Sequence, residues 1–175
     1  WYLPPECDVS IRRGWFWHPG EEHTLKSPEH LMAIWNRSIG LGANLLLNVP
    51  PDRRGLIDDA DREVLLGFTR WVEGLYNTPH IAALRRKSGF YRAGWDQDLW
   101  INHLIIEEEV SEGQKIGWHR IVDALSARVL SEGQTVGVRR HHHFRRVRTS
   151  EVLIETDRED DAIVRVSGHY LGLRR

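Results

Sequence analysis

Residues 1–18 have the sequence Trp-Tyr-Leu-Pro-Pro-Glu-Cys-Asp-Val-Ser-Ile-Arg-Arg-Gly-Trp-Phe-Trp-His, in which a short strand pattern leads into an aromatic loop. Residues two apart on an extended strand point to the same face, so Glu6 and Asp8 are predicted to share one surface. Carboxyl groups beside aromatic rings suit sugar chemistry, because the acids move protons and the rings stack on a pyranose. The alternative is that both carboxylates are solvated and that Trp15 and Trp17 belong to the core.

The first eighty residues predict two strand–loop–helix units. Residues 1–12 form the first predicted strand, and Ser27-Pro28-Glu29 starts a helix because Ser caps and Pro suits the first turn. Leu45–Val49 is a continuous apolar run, which predicts a fully buried parallel strand. Asp58 starts a second helix. Its predicted inner face consists of Val64, Leu65, Phe68, Trp71, Val72 and Leu75.

This order of elements is the repeat of a TIM-like (β/α) barrel, in which the loops after the strands carry the chemistry. Residues 1–80 are therefore predicted to be the C-terminal βα units of such a barrel. Two units cannot close a barrel, and the chain starts at Trp1 in the middle of a motif. We expect the 175 residues to be the C-terminal part of a longer protein.

The second half of the sequence predicts a different architecture. Residues 81–98, which include the basic run Arg85-Arg-Lys87, are predicted to be a linker. From residue 99 to residue 175, short alternating segments indicate a small antiparallel β-sandwich. The predicted turns between its strands are Ser111-Glu-Gly113, Ser131-Glu-Gly133 and Asp157–Asp161.

Composition excludes several classes of partner. A net charge of −1 argues against a general nucleic-acid or membrane-surface role, and no apolar run is long enough for a membrane span. The single cysteine excludes an internal disulfide framework and leaves the compartment open. The oligomeric state is equally undetermined by the sequence.

Several motifs in one order resemble a known enzyme family. They are Glu6-Cys-Asp-Val-Ser-Ile-Arg-Arg-Gly-Trp-Phe-Trp-His18, Ser38-Ile-Gly40, Asn44-Leu-Leu-Leu-Asn-Val-Pro-Pro-Asp52 and Gly55-Leu-Ile57. This series is similar to the α-L-fucosidases of glycoside hydrolase family 29. The resemblance weakens beyond residue 100. Arg13 replaces a proline that is usual in the family.

The resemblance implies a retaining hydrolase acting on α-L-fucosyl linkages of oligosaccharides or glycans, without metal or cofactor. Glu6 matches the family's general acid/base. A retaining mechanism also needs a carboxylate nucleophile, which the family places on an earlier barrel strand, upstream of Trp1. Asp8 has no nucleophile role in that pattern and is interpreted as structural. The alternative function is a non-catalytic carbohydrate-binding or structural fragment.

Four further residues are predicted to contact the substrate. Trp15 and Trp17 would stack on the apolar face of fucose, with core packing as the alternative. Arg12 would orient Glu6 or reach a sugar hydroxyl, with a surface salt bridge as the alternative. His18 is a hydrogen-bond candidate.

The run His141-His-His143 does not lead us to predict a metal site. On a strand its outer two residues share a face and the middle one points away, and no carboxylate–histidine motif accompanies them. Glu107–Glu109 is predicted to be an exposed face and not a calcium site.

Overall fold

The computed structural model describes residues 5–87, 89–158 and 160–171. Its first part contains two strand–helix units, in the predicted order. Short 3-10 turns precede and follow the first helix. The elements are β1 (Glu6–Ser10), α1 (Pro28–Arg37), β2 (Asn44–Asn48) and α2 (Asp59–Asn77).

Both helices start where the sequence predicted. Ser27 caps α1, its side chain accepting a hydrogen bond from the His30 amide at 3.2 Å. Asp58 caps α2 by accepting from the Ala60 amide at 2.9 Å. Because each cap satisfies an amide that has no partner inside the helix, the start points are encoded locally.

The strands of the first part pair in parallel, with Glu6 opposite Asn44 and Ser10 opposite Asn48. One side of this small sheet packs on both helices around a core that includes Ile11, Leu31, Phe68 and Leu75. The whole predicted inner face of α2 joins this core.

The strand Leu45–Val49 was predicted to be fully buried, and the structure corrects this. Leu46 is 50% exposed, because it points away from the helices toward the open side of the sheet. Two strands form an open sheet, so the barrel itself stays a prediction.

The second part is one antiparallel sheet built on two long strands, β5 (Phe90–Glu108) and β8 (Arg140–Thr156), which pair along most of their length. The other strands are β3 (His80–Ile81), β4 (Ala83–Lys87), β6 (His119–Asp123), β7 (Val129–Gly133) and β9 (Ile163–His169). In the described residues the sheet has seven strands in the order β3-β9-β5-β8-β6-β7, with β4 on β5. The hydrogen bonding therefore links these strands into a single sheet, and a sandwich of two sheets stays a prediction.

Residues 81–98, predicted to be a linker, instead belong to this sheet. They contain β4 and the first half of β5, so the sheet starts at His80 rather than at residue 99. Arg85, Arg86 and Lys87 are exposed, as charged residues on an edge strand usually are. A register shift between Gly94 and Leu99 breaks the alternation that would have marked β5 in the sequence.

One predicted turn, Ser131-Glu-Gly133, lies inside β7. A Cβ atom at Gly133 would come within 2.9 Å of the His119 ring on the neighbouring strand. The glycine therefore permits close packing within the sheet and does not mark a turn. The Ser111-Glu-Gly113 turn is present, with Gly113 at a φ of 94°.

Polar groups in the core of the sheet form a continuous hydrogen-bonded chain. The Gln134 carbonyl can only accept, so His119 Nδ1–H donates to it at 3.1 Å. His119 Nε2 then accepts from His142 Nε2–H at 2.8 Å, and His142 Nδ1 accepts from the Ser131 hydroxyl at 2.9 Å. Burial lowers the pKa of His119 and lowers that of His142 well below its usual value, which keeps both rings neutral.

The two parts meet along α2 and the start of β8. Tyr76 packs edge-on against His141, with ring centroids 6.4 Å apart, and Arg139 Cζ lies 5.3 Å from the centroid of the Tyr76 ring. Leu171, after the last strand, joins the core of the first part. The sheet thus supports the strand–helix units from behind. Among the described residues, neither helix has the length and apolar character needed to span a membrane.

Candidate functional site

The open side of the β1–β2 sheet carries polar residues in alternation. Glu6 and Asp8 are exposed there, and the Asn44 amide donates to Glu6 Oε2 at 2.9 Å. Asn48 donates from its side chain to the Ser10 hydroxyl at 3.0 Å. Leu46 is the apolar member of this face. The predicted sharing of one surface by Glu6 and Asp8 matches this arrangement.

Two loops leave the C-terminal ends of these strands. The first is the aromatic loop, residues 11–26, in which Phe16 is 77% exposed and Trp15 is 50% exposed. The second, residues 49–58, turns around Asp52, which accepts from the amides of Arg54 and Leu56. The hydrogen bond from the Arg54 side chain lowers the pKa of Asp52.

Four polar contacts hold the backbone of the aromatic loop. Lys26 Nζ donates to the carbonyls of Ser10, at 2.6 Å, and Arg12, at 3.0 Å. The Ser10 hydroxyl donates to the Gly14 carbonyl at 2.7 Å, and the Asn48 side chain donates to the Trp15 carbonyl at 2.9 Å. Burial lowers the pKa of Lys26. Trp15 and Phe16 are therefore exposed on a backbone that is fixed from both strands.

Arg12 lies at the base of the loop and is fully buried. Its Nε lies 3.1 Å from both carboxylate oxygens of Asp61, and its Nη2 lies 2.8 Å from Asp61 Oδ1. Asp61 is also fully buried, in the first turn of α2. Burial by itself would lower the pKa of Arg12, but the hydrogen bond and charge of Asp61 raise it above its usual value. Arg12 therefore joins the exit of β1 to α2, and its guanidinium is not on the surface.

Trp17 is anchored to the same helix. Its indole N–H donates to Asp58 Oδ2 at 2.9 Å, and Asp58 is the residue that caps α2. This hydrogen bond, followed by the one from the Ala60 amide, lowers the pKa of Asp58. Trp17 is half-buried, whereas Trp15 and His18 are exposed.

The structure separates Glu6 from the aromatic loop. Glu6 is the first residue of β1 and Ser10 the last, so about 13 Å of strand, at ~3.3 Å per residue, lies between Glu6 and the start of the loop. Trp15, Trp17 and His18 all lie beyond the C-terminal end of the strand. The predicted site residues therefore do not form one cluster, because Glu6 lies at the N-terminal end of β1 and the others lie beyond its C-terminal end.

Sequence reasoning missed the residues that fix the loop. Asp61 lies 49 positions from Arg12, and Asn48 lies 33 positions from Trp15. Only the strand register and the packing of α2 bring these pairs together. Asn48 falls within a quoted motif, but its position in the sequence does not indicate which groups it binds.

Known proteins similar to this region belong to one enzyme family. Residues 4–75 match the family model described as Alpha-L-fucosidase. An Arabidopsis thaliana protein named Alpha-L-fucosidase 1 is 42% identical over 76 residues, covering 43% of this chain and 15% of its own length. A rice protein (Oryza sativa subsp. japonica) with the same enzyme name is 33% identical over 128 residues, covering 70% of this chain and 24% of its own length.

The match to solved structures extends over the whole described fold. A structure from Bacteroides ovatus ATCC 8483, assigned as an α-L-fucosidase, superposes with a TM-score of 0.85 at 28% identity. The alignment covers 98% of this chain and 31% of that one. The chain therefore spans less than a third of the length of each of these relatives.

Breaking the Arg12–Asp61 pair should unfold the base of the loop. Arg12→Met leaves a buried carboxylate without its partner, and we expect it to lower the free energy of unfolding by about 3–5 kcal/mol. The double variant Arg12→Met/Asp61→Leu removes both charges and should recover a large part of that loss. Urea denaturation of the two variants measures this, with Arg13→Met, at an exposed neighbour, as the control. If the double variant were as unstable as Arg12→Met, the stability that Arg12 provides would not come from its pairing with Asp61.

Removing the indole N–H of Trp17 should raise the pKa of Asp58. A lowered folded-state pKa means that Asp58 stabilises the fold above its unfolded pKa and that this contribution is lost as pH falls through the folded value. Trp17→Phe should therefore lower the free energy of unfolding at neutral pH. In acid, its free energy of unfolding should differ less from that of the wild type. NMR titration of the Asp58 carboxyl measures the shift. Trp15→Phe is the control, and an equal shift in both variants would contradict the assignment.

Proposed function

The chain is related to the α-L-fucosidases of glycoside hydrolase family 29, and we propose that it is the C-terminal part of a retaining enzyme that hydrolyses α-L-fucosyl linkages in oligosaccharides or glycans. The observation that carries this proposal is the location of the family match. The described residues within this match carry exposed carboxylates on the open side of a parallel sheet and an anchored aromatic loop after its first strand. That open side lacks covering strands within the described residues. Further barrel strands from the same polypeptide would cover it.

The proposed reaction is a double displacement. A carboxylate supplied by an upstream strand attacks the anomeric carbon, the bond to the leaving oxygen breaks, and Glu6 gives that oxygen a proton. Glu6, now a carboxylate, takes a proton from water as the water attacks the anomeric carbon. In the same step the bond from the anomeric carbon to the nucleophile breaks, and fucose leaves with its configuration retained.

The loop residues have distinct roles in this proposal. Trp15 is exposed and available to stack on the sugar, and His18 is exposed for a hydrogen bond. Trp17 and Arg12 act indirectly, because Asp58 holds the Trp17 indole N–H and Asp61 holds the Arg12 guanidinium. Their contribution is to fix the loop that presents Trp15.

The assignment of Glu6 rests on the family resemblance and on its exposed position. In (β/α) barrels the chemistry lies at the C-terminal ends of the strands, and Glu6 lies at the N-terminal end of β1. Asp8, two residues along the same face, is closer to the loop. A comparison of these two carboxylates therefore decides which of them moves the proton.

Glu6→Gln in the complete protein should reduce turnover of fucosylated oligosaccharides by about 10²- to 10⁴-fold. Aryl fucosides with activated leaving groups need no proton to depart, so their first step should be spared. Steady-state and burst kinetics on the two substrate classes measure this difference, with Asp8→Asn as the matched control.

Wild-type turnover by Glu6→Gln would remove Glu6 from the mechanism. If Asp8→Asn alone showed the selective loss, the proton-transfer role would belong to Asp8. Unchanged kinetics in both variants would favour the alternative of a non-catalytic carbohydrate-binding or structural segment.

A further inference from the structure

The second part of the chain contains a cavity of about 440 Å³ at an irregularity in its longest strand pair. Ile101 pairs with Val147 and His103 with His143, so three residues of β8 face the single residue Asn102 of β5. Such a bulge redirects the side chains it contains. Here it presents Arg145 and Arg146 to the cavity, and both are exposed.

One wall of the cavity is rigid. The Asn102 side chain donates to the Leu171 carbonyl at 2.8 Å and accepts from the Leu171 amide at 2.8 Å. Both residues are buried, and Leu171 also belongs to the core of the strand–helix units. These two reciprocal hydrogen bonds fix this wall of the cavity in the absence of a ligand.

The remaining lining is basic and aromatic. His143, Arg145, Arg146 and the half-exposed Tyr170 line the cavity, and no acidic residue is among the described residues around it. Arg146 Cζ lies 5.4 Å from the centroid of the Trp100 ring, which orients its guanidinium.

Several other arginines on the sheet pair with carboxylates. Arg148 pairs with Asp98, Arg120 with Glu132 and Glu155, and Arg139 with Glu107. Among the described residues, Arg145 and Arg146 have no carboxylate partner. Two adjacent guanidinium groups can donate paired hydrogen bonds to the two oxygens of a carboxylate or to the terminal oxygens of a sulfate.

We propose that this cavity binds the anionic group, a carboxylate or a sulfate, of an acidic sugar in a glycan. The inference rests on the proposed function, since a fucoside-hydrolysing protein meets such sugars on the glycans it degrades. Arg145 and Arg146 line one cavity, and the chain as a whole carries a net charge of −1. A nucleic acid, which needs an extended basic track, fits these features less well.

The test is isothermal titration of the complete protein with three sugars that contain no fucose: 3′-sialyllactose, sulfated lactose and neutral lactose. Binding of the first or the second in preference to lactose identifies the anion as a carboxylate or a sulfate. The variant Arg145→Gln/Arg146→Gln should weaken that binding by about tenfold, which is ~1.4 kcal/mol. The matched control, Arg85→Gln/Arg128→Gln, removes the same charge at exposed positions elsewhere in this part of the chain and should leave binding unchanged.

The variant Arg145→Lys/Arg146→Lys separates charge from geometry. It keeps both charges but loses the paired donors of each guanidinium, so it should retain only part of the binding. Circular dichroism of all variants establishes that they are folded.

The inference is overturned if neither acidic sugar binds better than lactose, or if the control variant loses binding equally. Tighter binding of a single-stranded oligonucleotide through the same arginines would also overturn it. Turnover of an aryl α-L-fucoside by the same preparations tests the proposed function separately, because that substrate carries no acidic sugar.

Discussion

The position of the aromatic loop depends on one buried ion pair, Arg12–Asp61. Taking two charges out of water is costly, and the cost is recovered only when the charges meet with good geometry. Arg12 meets this condition through contacts of 2.8–3.1 Å with both oxygens of Asp61. The pair connects the end of β1 to the first turn of α2. Because Trp17 reaches Asp58 on the same turn, the loop between them has little freedom to move.

A second constraint comes from the antiparallel sheet, which packs against α2. The sheet packs on α2 through Tyr76, which lies between His141 and Arg139, and Leu171 extends the core of the strand–helix units. The neutral chain from Ser131 to Gln134 through His142 and His119 satisfies the polar groups inside the sheet. In this arrangement, protonating His119 would place its Nε2–H against the Nε2–H of His142, and protonating His142 would place its Nδ1–H against the donating hydroxyl of Ser131. The supporting sheet therefore depends on both rings staying neutral, which their burial enforces.

The sequence predicted those features that are encoded locally. Helix starts at Ser27 and Asp58 follow from capping, and the inner face of α2 follows from its apolar period. Features that depend on distant contacts were not predicted, such as the pairing of Arg12 with Asp61 or of Asn48 with the aromatic loop. The segment 81–98 was interpreted as a linker because its basic residues lie on an exposed edge and an irregular register hides the strand. The proposed chemistry comes from the family resemblance. The spacing of the carboxylates and tryptophans in residues 1–18 is compatible with both catalysis and core packing.

The central claim is that this chain supplies one side of a fucosidase site whose nucleophile lies on strands upstream of Trp1. The most direct measurement is release of the aryl group from an aryl α-L-fucoside by the 175-residue chain alone and by the complete polypeptide. The account predicts no release by the chain alone and turnover by the complete polypeptide. Release by the isolated chain would contradict it, because Asp8 or another internal carboxylate would then have to act as the nucleophile.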